Sequence, residues 1–209
     1  MSNNTKGLKA FLSLPQMHNL MQNGVGIPKV RKYLLQKVSN LKPGAKVLDV
    51  GCGTGELLPY LPSGIDYTGF DMEQKYIDYA NKKFAGKGKF LCIDVNQNLE
   101  SIFPENSFDL ILIFSVFHHL NDTEVGNLVH FTHSRLKQGG ILLTLDGVFW
   151  EGQSKAAKYI LENDRGEYVR TEQGYRDLLE KYFPNPTGEV LKSAIRIPTD
   201  LISFRLIKE

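Results

Sequence analysis

Three aspartates, a glycine turn and a pair of histidines are the residues of this chain whose types and spacing suit chemistry. In "VLDVGCGTGELLPYL", residues 47–61, Asp49 lies in an aliphatic run, and Gly51, Gly53 and Gly55 follow it. A strand that turns through glycines into a helix brings backbone N–H groups to the carboxyl edge of a sheet, where main chain can hold a small polar ligand. Asp71 and Asp94 stand at the ends of the next two such runs, "IDYTGFD" (65–71) and "KFLCIDV" (89–95). Three carboxylates are therefore expected beside one turn.

The glycine spacing chooses between ligands. A dinucleotide fingerprint, G-x-G-x-x-G, needs glycine at position 56, where this chain has Glu56. An acidic group at the head of a helix repels a pyrophosphate but not a ligand carrying an ammonium and a sulfonium. Asp71 is placed to accept hydrogen bonds from two ribose hydroxyls, and Asp94 to receive an exocyclic adenine amine. Together with Asp49 they describe an adenosine pocket that tolerates positive charge. Past the fourth run, His118 and His119, with Asp146 after the fifth, are candidate bases for an oxygen or nitrogen nucleophile.

The elements that must position these groups alternate between strand and helix patterns, as in an α/β domain with a mostly parallel sheet. "KVLDV" (46–50), residues 65–71 and 89–95, "FDLILIFSV" (108–116) and "GILLTLD" (140–146) read as five strands buried on both faces. Tyr76, Ala80 and Phe84 share one helical face, and Val125, Leu128, Val129, Thr132 and Leu136 share another. Val30, Tyr33, Leu34, Val38 and Leu41 predict a helix ahead of the first strand, and Tyr175, Leu178, Leu179 and Tyr182 a late one. "EVLKSAIRI" and "LISFRLIKE" read as strands joined only by "PTD", which permits an antiparallel pair and no crossover helix.

"VLDVGCGTG", "YTGFDM", "FLCIDV", "FDLILIFSVFHHL" and "LKQGGILLTLDG" resemble, in order and spacing, the successive motifs of class I S-adenosylmethionine-dependent methyltransferases over roughly residues 28–148. The resemblance implies a Rossmann-like doubly wound sheet of seven strands, five parallel plus a C-terminal antiparallel pair. It implies S-adenosylmethionine as cofactor, with Asp49, Gly51 and Gly53 on its methionyl part and Cys52 in the same turn. Asp71 would hold the ribose, Met72 would pack on the adenine, Asp94 and the backbone of Val95 would read its edge, and Phe114 and Ser115 would lie beneath the methyl group. The metal ligands of quinone-type O-methyltransferases of this fold fall on Ser115, His118 and His119, so no metal is expected.

One domain is expected over residues 1–209, with 1–41 a helical lid and cap, 42–209 the cofactor-binding core, and an acceptor-side insertion near 149–175. Within that insertion, Arg165, Tyr168 and Arg170 of "ENDRGEYVRTEQGY" are candidate substrate-binding residues, because arginine offers a planar fork to phosphate or carboxylate. This stretch is similar to that of bacterial methyltransferases from surface-polysaccharide gene clusters, so a sugar or nucleotide-sugar precursor is the leading small-molecule acceptor. Competing readings are an NAD-dependent oxidoreductase on a similar sheet and a cofactor-binding protein without catalysis. A formal charge of +2 and no added binding domain argue against nucleic acid. The longest apolar run, "LILIFSVF", is too short to span a bilayer, and only Cys52 and Cys92 are present, so the expected location is the cytoplasm.

Overall fold

The computed structural model describes residues 15, 20, 23–163 and 166–209. Helix α1 (Ile27–Gln36) opens after Gly26, whose φ of 95° is left-handed, with Pro28 in its first turn. Five strands follow: β1 (Lys46–Val50), β2 (Asp66–Asp71), β3 (Lys89–Cys92), β4 (Phe108–Phe114) and β5 (Leu136–Phe149). Helix α2 (Gln74–Lys83) links β2 to β3, and α3 (Asp122–Arg135) links β4 to β5. Helices α4 (Lys155–Glu162) and α5 (Glu172–Leu179) come next, with the two-residue strand β6 (Arg170–Thr171) between them; β7 (Gly188–Leu191) and β8 (Leu201–Ile207) end the chain.

The strand order is β3-β2-β1-β4-β5-β8-β7, with β6 pairing on the end of β5. Strands β1 to β5 are parallel; β8 runs antiparallel to both β5 and β7. The expected sheet of five parallel strands and a terminal antiparallel pair is therefore present. Side chains alternate across it with period two. Leu48, Val50, Ile111 and Ile113 face one core with Val125 and Leu128 of α3 and Tyr175 of α5. Val47, Leu110 and Leu112 face the other with Leu34 of α1 and Ile77 of α2. The central strands β1 and β4 are covered on both faces, which is why their sequences run aliphatic without alternating.

Helix α3 is well delimited: the Asn121 side chain accepts from the Thr123 and Glu124 N–H groups, and Glu124 reaches back to the Asn121 N–H at 2.8 Å. Three expectations need correction. The chain after β1 forms turns and a 3₁₀ segment, Leu58–Tyr60, where an α-helix is expected. Three left-handed glycines in five residues and Pro59 interrupt the helical backbone there. On α2, Ile77 shares the buried face with Ala80, and Tyr76 is only partly covered. The β7–β8 connection spans residues 192–200 and includes "SAI", not "PTD" alone, because Asp200 turns inward to hold this loop. Its carboxylate accepts from Trp150 Nε1 at 2.8 Å, Gln153 Nε2 at 3.0 Å and the Ser193 N–H at 3.0 Å.

Of the N-terminal lid and cap expected over residues 1–41, 1–14, 16–19, 21 and 22 lie outside the described residues, as does Arg165. What is described of its junction is anchored: the Arg196 N–H donates to the Val25 carbonyl at 2.7 Å, and Arg196 Nη1 to that of Gly24 at 3.1 Å.

Candidate active site

The carboxyl ends of β1, β2 and β4 converge on the glycine turn. Gly51, Gly53 and Gly55 have φ of 68°, 54° and 77°, but they serve different ends. A Cβ at Gly51 would meet Val116 Cγ2 at 2.5 Å, and one at Gly55 would meet Phe90 at 2.8 Å and Phe84 at 3.0 Å. Those two glycines let neighbouring side chains approach the backbone. A Cβ at Gly53 would meet nothing within 4 Å, so its face opens on a space that a ligand can fill.

Asp71 ties this turn to β2. Its Oδ2 accepts the Gly53 N–H at 2.9 Å and its Oδ1 the Glu73 N–H at 2.9 Å. Burial raises its pKa, and these backbone donors oppose the rise. Next to it Met72 is 64% exposed, an apolar side chain left uncovered at the edge of the site. Asp94 lies two residues past the end of β3 and accepts the Asn96 N–H at 2.9 Å, which shapes the turn there; Val95 packs partly against the core.

Asp49 is 1% exposed and accepts the Tyr67 hydroxyl at 2.5 Å. Burial pushes its carboxyl up to about 7, against the Tyr67 hydrogen bond and the positive field of Arg31, while Asp71 adds to the rise. Tyr67 and Arg31 are functional neighbours that sequence reasoning missed. The β1–β2 register pairs Asp49 with Gly69, and a Cβ on Gly69 would stand 3.1 Å from the Tyr67 hydroxyl, so that glycine clears the tyrosine's path. Arg31 adjoins the apolar stripe of α1 at Val30, and its half-buried guanidinium lies in the fields of Glu56, Tyr60 and Asp49. Glu56 is bonded by Lys83 Nζ at 2.7 Å. Cys52 is buried, touching the space above Gly69, and burial with the nearby Asp49 and Asp71 charges pushes its thiol far up, which makes it a packing group.

On the other side, Phe114 is partly buried at the end of β4, and Ser115 follows it with φ 58°, its N–H on the Leu145 carbonyl at 2.6 Å. A non-glycine residue held left-handed at a strand end is a constraint typical of functional sites. The turn Phe117–His119 then places His118 Nδ1 2.7 Å from Asp146 Oδ1. The same oxygen accepts the His118 N–H at 3.2 Å, while Asp146 Oδ2 is buried with no partner among the described residues. Burial raises the Asp146 pKa, opposed by His118 and by Arg170. The exposed His119 ring lies 4.1 Å from that of His118. The three candidate bases are thus in one cluster.

The anion clamp expected of Arg170 is corrected. Its Nε and Nη2 donate to Asp122 Oδ1, Nη1 to the carbonyls of Phe117 and Tyr168, and Nη2 also to that of Leu120, all within 3.0 Å. Every N–H of the fork is used inside the protein. Tyr168 gives its N–H to the His118 carbonyl at 3.0 Å, while its side chain stays 40% exposed. A cleft of about 460 Å³, lined by Lys42, Gly44, Lys137 and Arg205 among others, opens at the opposite edge of the sheet, away from all of these groups. Among the described residues no cluster of His, Cys, Asp and Glu could hold a metal, and no helix is long and apolar enough to cross a membrane.

A doubly wound sheet with a glycine turn, an edge of aspartates and an open backbone face defines a nucleoside-cofactor enzyme fold. Residues 47–140 match the methyltransferase domain family. The chain is 32% identical over 197 residues to the ubiquinone/menaquinone biosynthesis C-methyltransferase of Erwinia tasmaniensis, covering 87% of this chain and 77% of that one. It is 34% identical over 117 residues to phosphoethanolamine N-methyltransferase 1 of Arabidopsis thaliana, covering 55% of this chain but only 23% of that one. Among solved structures, phosphoethanolamine N-methyltransferase 2 of Haemonchus contortus, in complex with phosphomonomethylethanolamine and S-adenosylhomocysteine, shares the fold with a TM-score of 0.68 at 18% identity, over 86% of this chain and 52% of that one. The chain belongs to the class I S-adenosylmethionine-dependent methyltransferases.

Proposed function

We propose that this chain methylates an oxygen or nitrogen of a small molecule, with His118 and Asp146 as the base pair and a sugar or nucleotide-sugar precursor as the leading acceptor. The observation that carries the reading is the buried 2.7 Å contact between His118 Nδ1 and Asp146 Oδ1, beside the glycine turn and at the end of β4. When bound, S-adenosylmethionine supplies a methyl group on sulfonium, already a strong electrophile. The residues present fit it: Gly53 leaves an open face, Asp71 keeps lone pairs for hydroxyl donors, Asp49 lies buried behind the turn, Asp94 suits an amine, and Met72 offers an apolar surface.

Asp146 takes the Nδ1 proton of His118 as a hydrogen bond, which directs the basic lone pair to Nε2 and stabilises the imidazolium once a proton has been taken from the acceptor. His119 is the exposed ring beside it, and Tyr168, whose N–H holds the His118 carbonyl, is also exposed. The sugar assignment is supported by the "DRGEYVRT" resemblance, and the relatives' names add phosphoethanolamine and a quinone precursor to the acceptors worth testing.

The test is an acceptor screen with methyl-labelled S-adenosylmethionine over sugar nucleotides, phosphoethanolamine and hydroxylated aromatics. With the acceptor found, His118→Ala should lower turnover by about a hundredfold or more and leave cofactor affinity nearly unchanged. If neither His118→Ala nor His119→Ala moves turnover, the base assignment is wrong.

A further inference from the structure

The turn that carries the histidines, residues 117–120, belongs to no strand and to no α-helix, so its carbonyls and N–H groups need partners from elsewhere. Its N–H groups donate to Asp146, to Val116 and back to Phe117, while three of its carbonyls are held by one short segment. Arg170 Nη1 holds the Phe117 carbonyl at 3.0 Å, the Tyr168 N–H holds the His118 carbonyl at 3.0 Å, and Arg170 Nη2 holds the Leu120 carbonyl at 2.7 Å. The remaining donors of Arg170 grip Asp122, the first residue of α3, and close back on the Tyr168 carbonyl. The arginine side chain is 9% exposed, stacked 5.7 Å from the centre of the Tyr175 ring.

Arg170 itself stands on a rigid support. As part of β6 it pairs with Val148 of β5, two residues beyond Asp146 on the same strand. His118 is thus held from two points of one strand end: Asp146 takes its ring and N–H, and Arg170 and Tyr168 take the carbonyls around it. Gly166 completes the fit, because a Cβ there would stand 1.9 Å from His118 Cδ2. A lysine in place of Arg170 has one ammonium and cannot reach these four acceptors in a fork.

We propose that Arg170 is a positioning residue that locks the His118–His119 turn to the end of β5 and makes the acceptor-side segment 166–170 and the base one mechanical unit. The proposal rests on the reading of His118 as the base for its meaning in catalysis, but not for its test. A change in the segment that borders the acceptor is then transmitted to the histidine ring without touching the cofactor turn.

The test uses the full chain with ¹⁵N-labelled histidine and needs no acceptor. In the wild type, long-range ¹H–¹⁵N spectra should show His118 as a single tautomer protonated at Nδ1. In Arg170→Ala that signature should average toward the mixed tautomers of a free imidazole, and amide exchange at Leu120 and Tyr168 should accelerate by about tenfold or more. Affinity for S-adenosylhomocysteine should change less than about threefold. Arg170→Lys should fall between the two. Asp122→Ala removes the carboxylate that takes two of the five bonds from an exposed site; it should shift the same signals by less, and it replaces Arg170→Ala if that variant does not fold. An unchanged His118 tautomer with unchanged exchange at Leu120, in a folded variant of Arg170 or failing that in Asp122→Ala, overturns the proposal. The His118→Ala turnover measurement addresses the base assignment separately.

Discussion

Removing the Asp71 carboxylate should damage both the glycine turn and the cofactor seat, by amounts that can be separated. Each oxygen already accepts one backbone N–H, from Gly53 and Glu73, at 2.9 Å, and each keeps further lone-pair capacity for a ligand hydroxyl. In Asp71→Ala the two N–H groups lose a charged acceptor. Both lie near solvent, so water replaces much of the loss, and the apoprotein should be destabilised by about 1–2 kcal/mol. The ligand's hydroxyls lose charge-assisted bonds worth about 1.5–3 kcal/mol, which is about ten- to 150-fold in dissociation constant. Asp71→Asn keeps one acceptor oxygen and should fall between. The assay is titration calorimetry with S-adenosylhomocysteine well below each variant's melting midpoint, alongside urea unfolding without ligand. A folded Asp71→Ala that binds within about twofold of the wild type would refute the pocket.

Asp49 predicts a pH dependence of stability. Its carboxyl is raised from 3.8 to about 7, mainly by burial, so the folded state binds this proton more tightly than the unfolded chain. The linked stability is complete below about pH 4 and is lost as pH rises through about 7. Asp49→Asn should flatten that slope; urea midpoints at about pH 5 and about pH 8 that fall in parallel in the two proteins would contradict it. The glycines should divide by role. Gly55→Ala drives a Cβ into Phe90 and Phe84 and should mainly lower the melting temperature. Gly53→Ala meets no atom, so beyond about 1–2 kcal/mol of left-handed strain its loss should appear as weakened S-adenosylhomocysteine binding. Equal binding by Gly53→Ala and the wild type would show that its open face is not the cofactor's seat.

Local pattern was enough for the scaffold. Aliphatic runs of five and seven residues bounded by turn signals identify β1 and β4, because a strand buried on both faces can carry little else. Asp49, Asp71 and Asp94 were legible for the same reason: a carboxylate at the end of such a run has its place set by the run. The failures occur where long-range contacts override local signals. The helix expected after the glycine turn gives way to left-handed glycines, and two of those glycines answer to Val116, Phe84 and Phe90, residues 29 to 65 positions away.

The sequence by itself determined that the chain is an α/β domain with a nucleoside-cofactor edge, since periodicity, glycine spacing and acidic strand ends are local properties that survive in any packing of the sheet. It also brought forward His118, His119 and Asp146, but as separate candidates. Only the tertiary structure decided that His118 and Asp146 touch, that Tyr67 reaches Asp49 past Gly69, and that Arg170 spends its whole fork on the protein. An arginine in a charged loop reads the same whether its donors face solvent, a ligand or four oxygens of the protein itself. The difference lies in which carbonyls the fold leaves without partners, and that is settled only when β5, β6 and the histidine turn have come together.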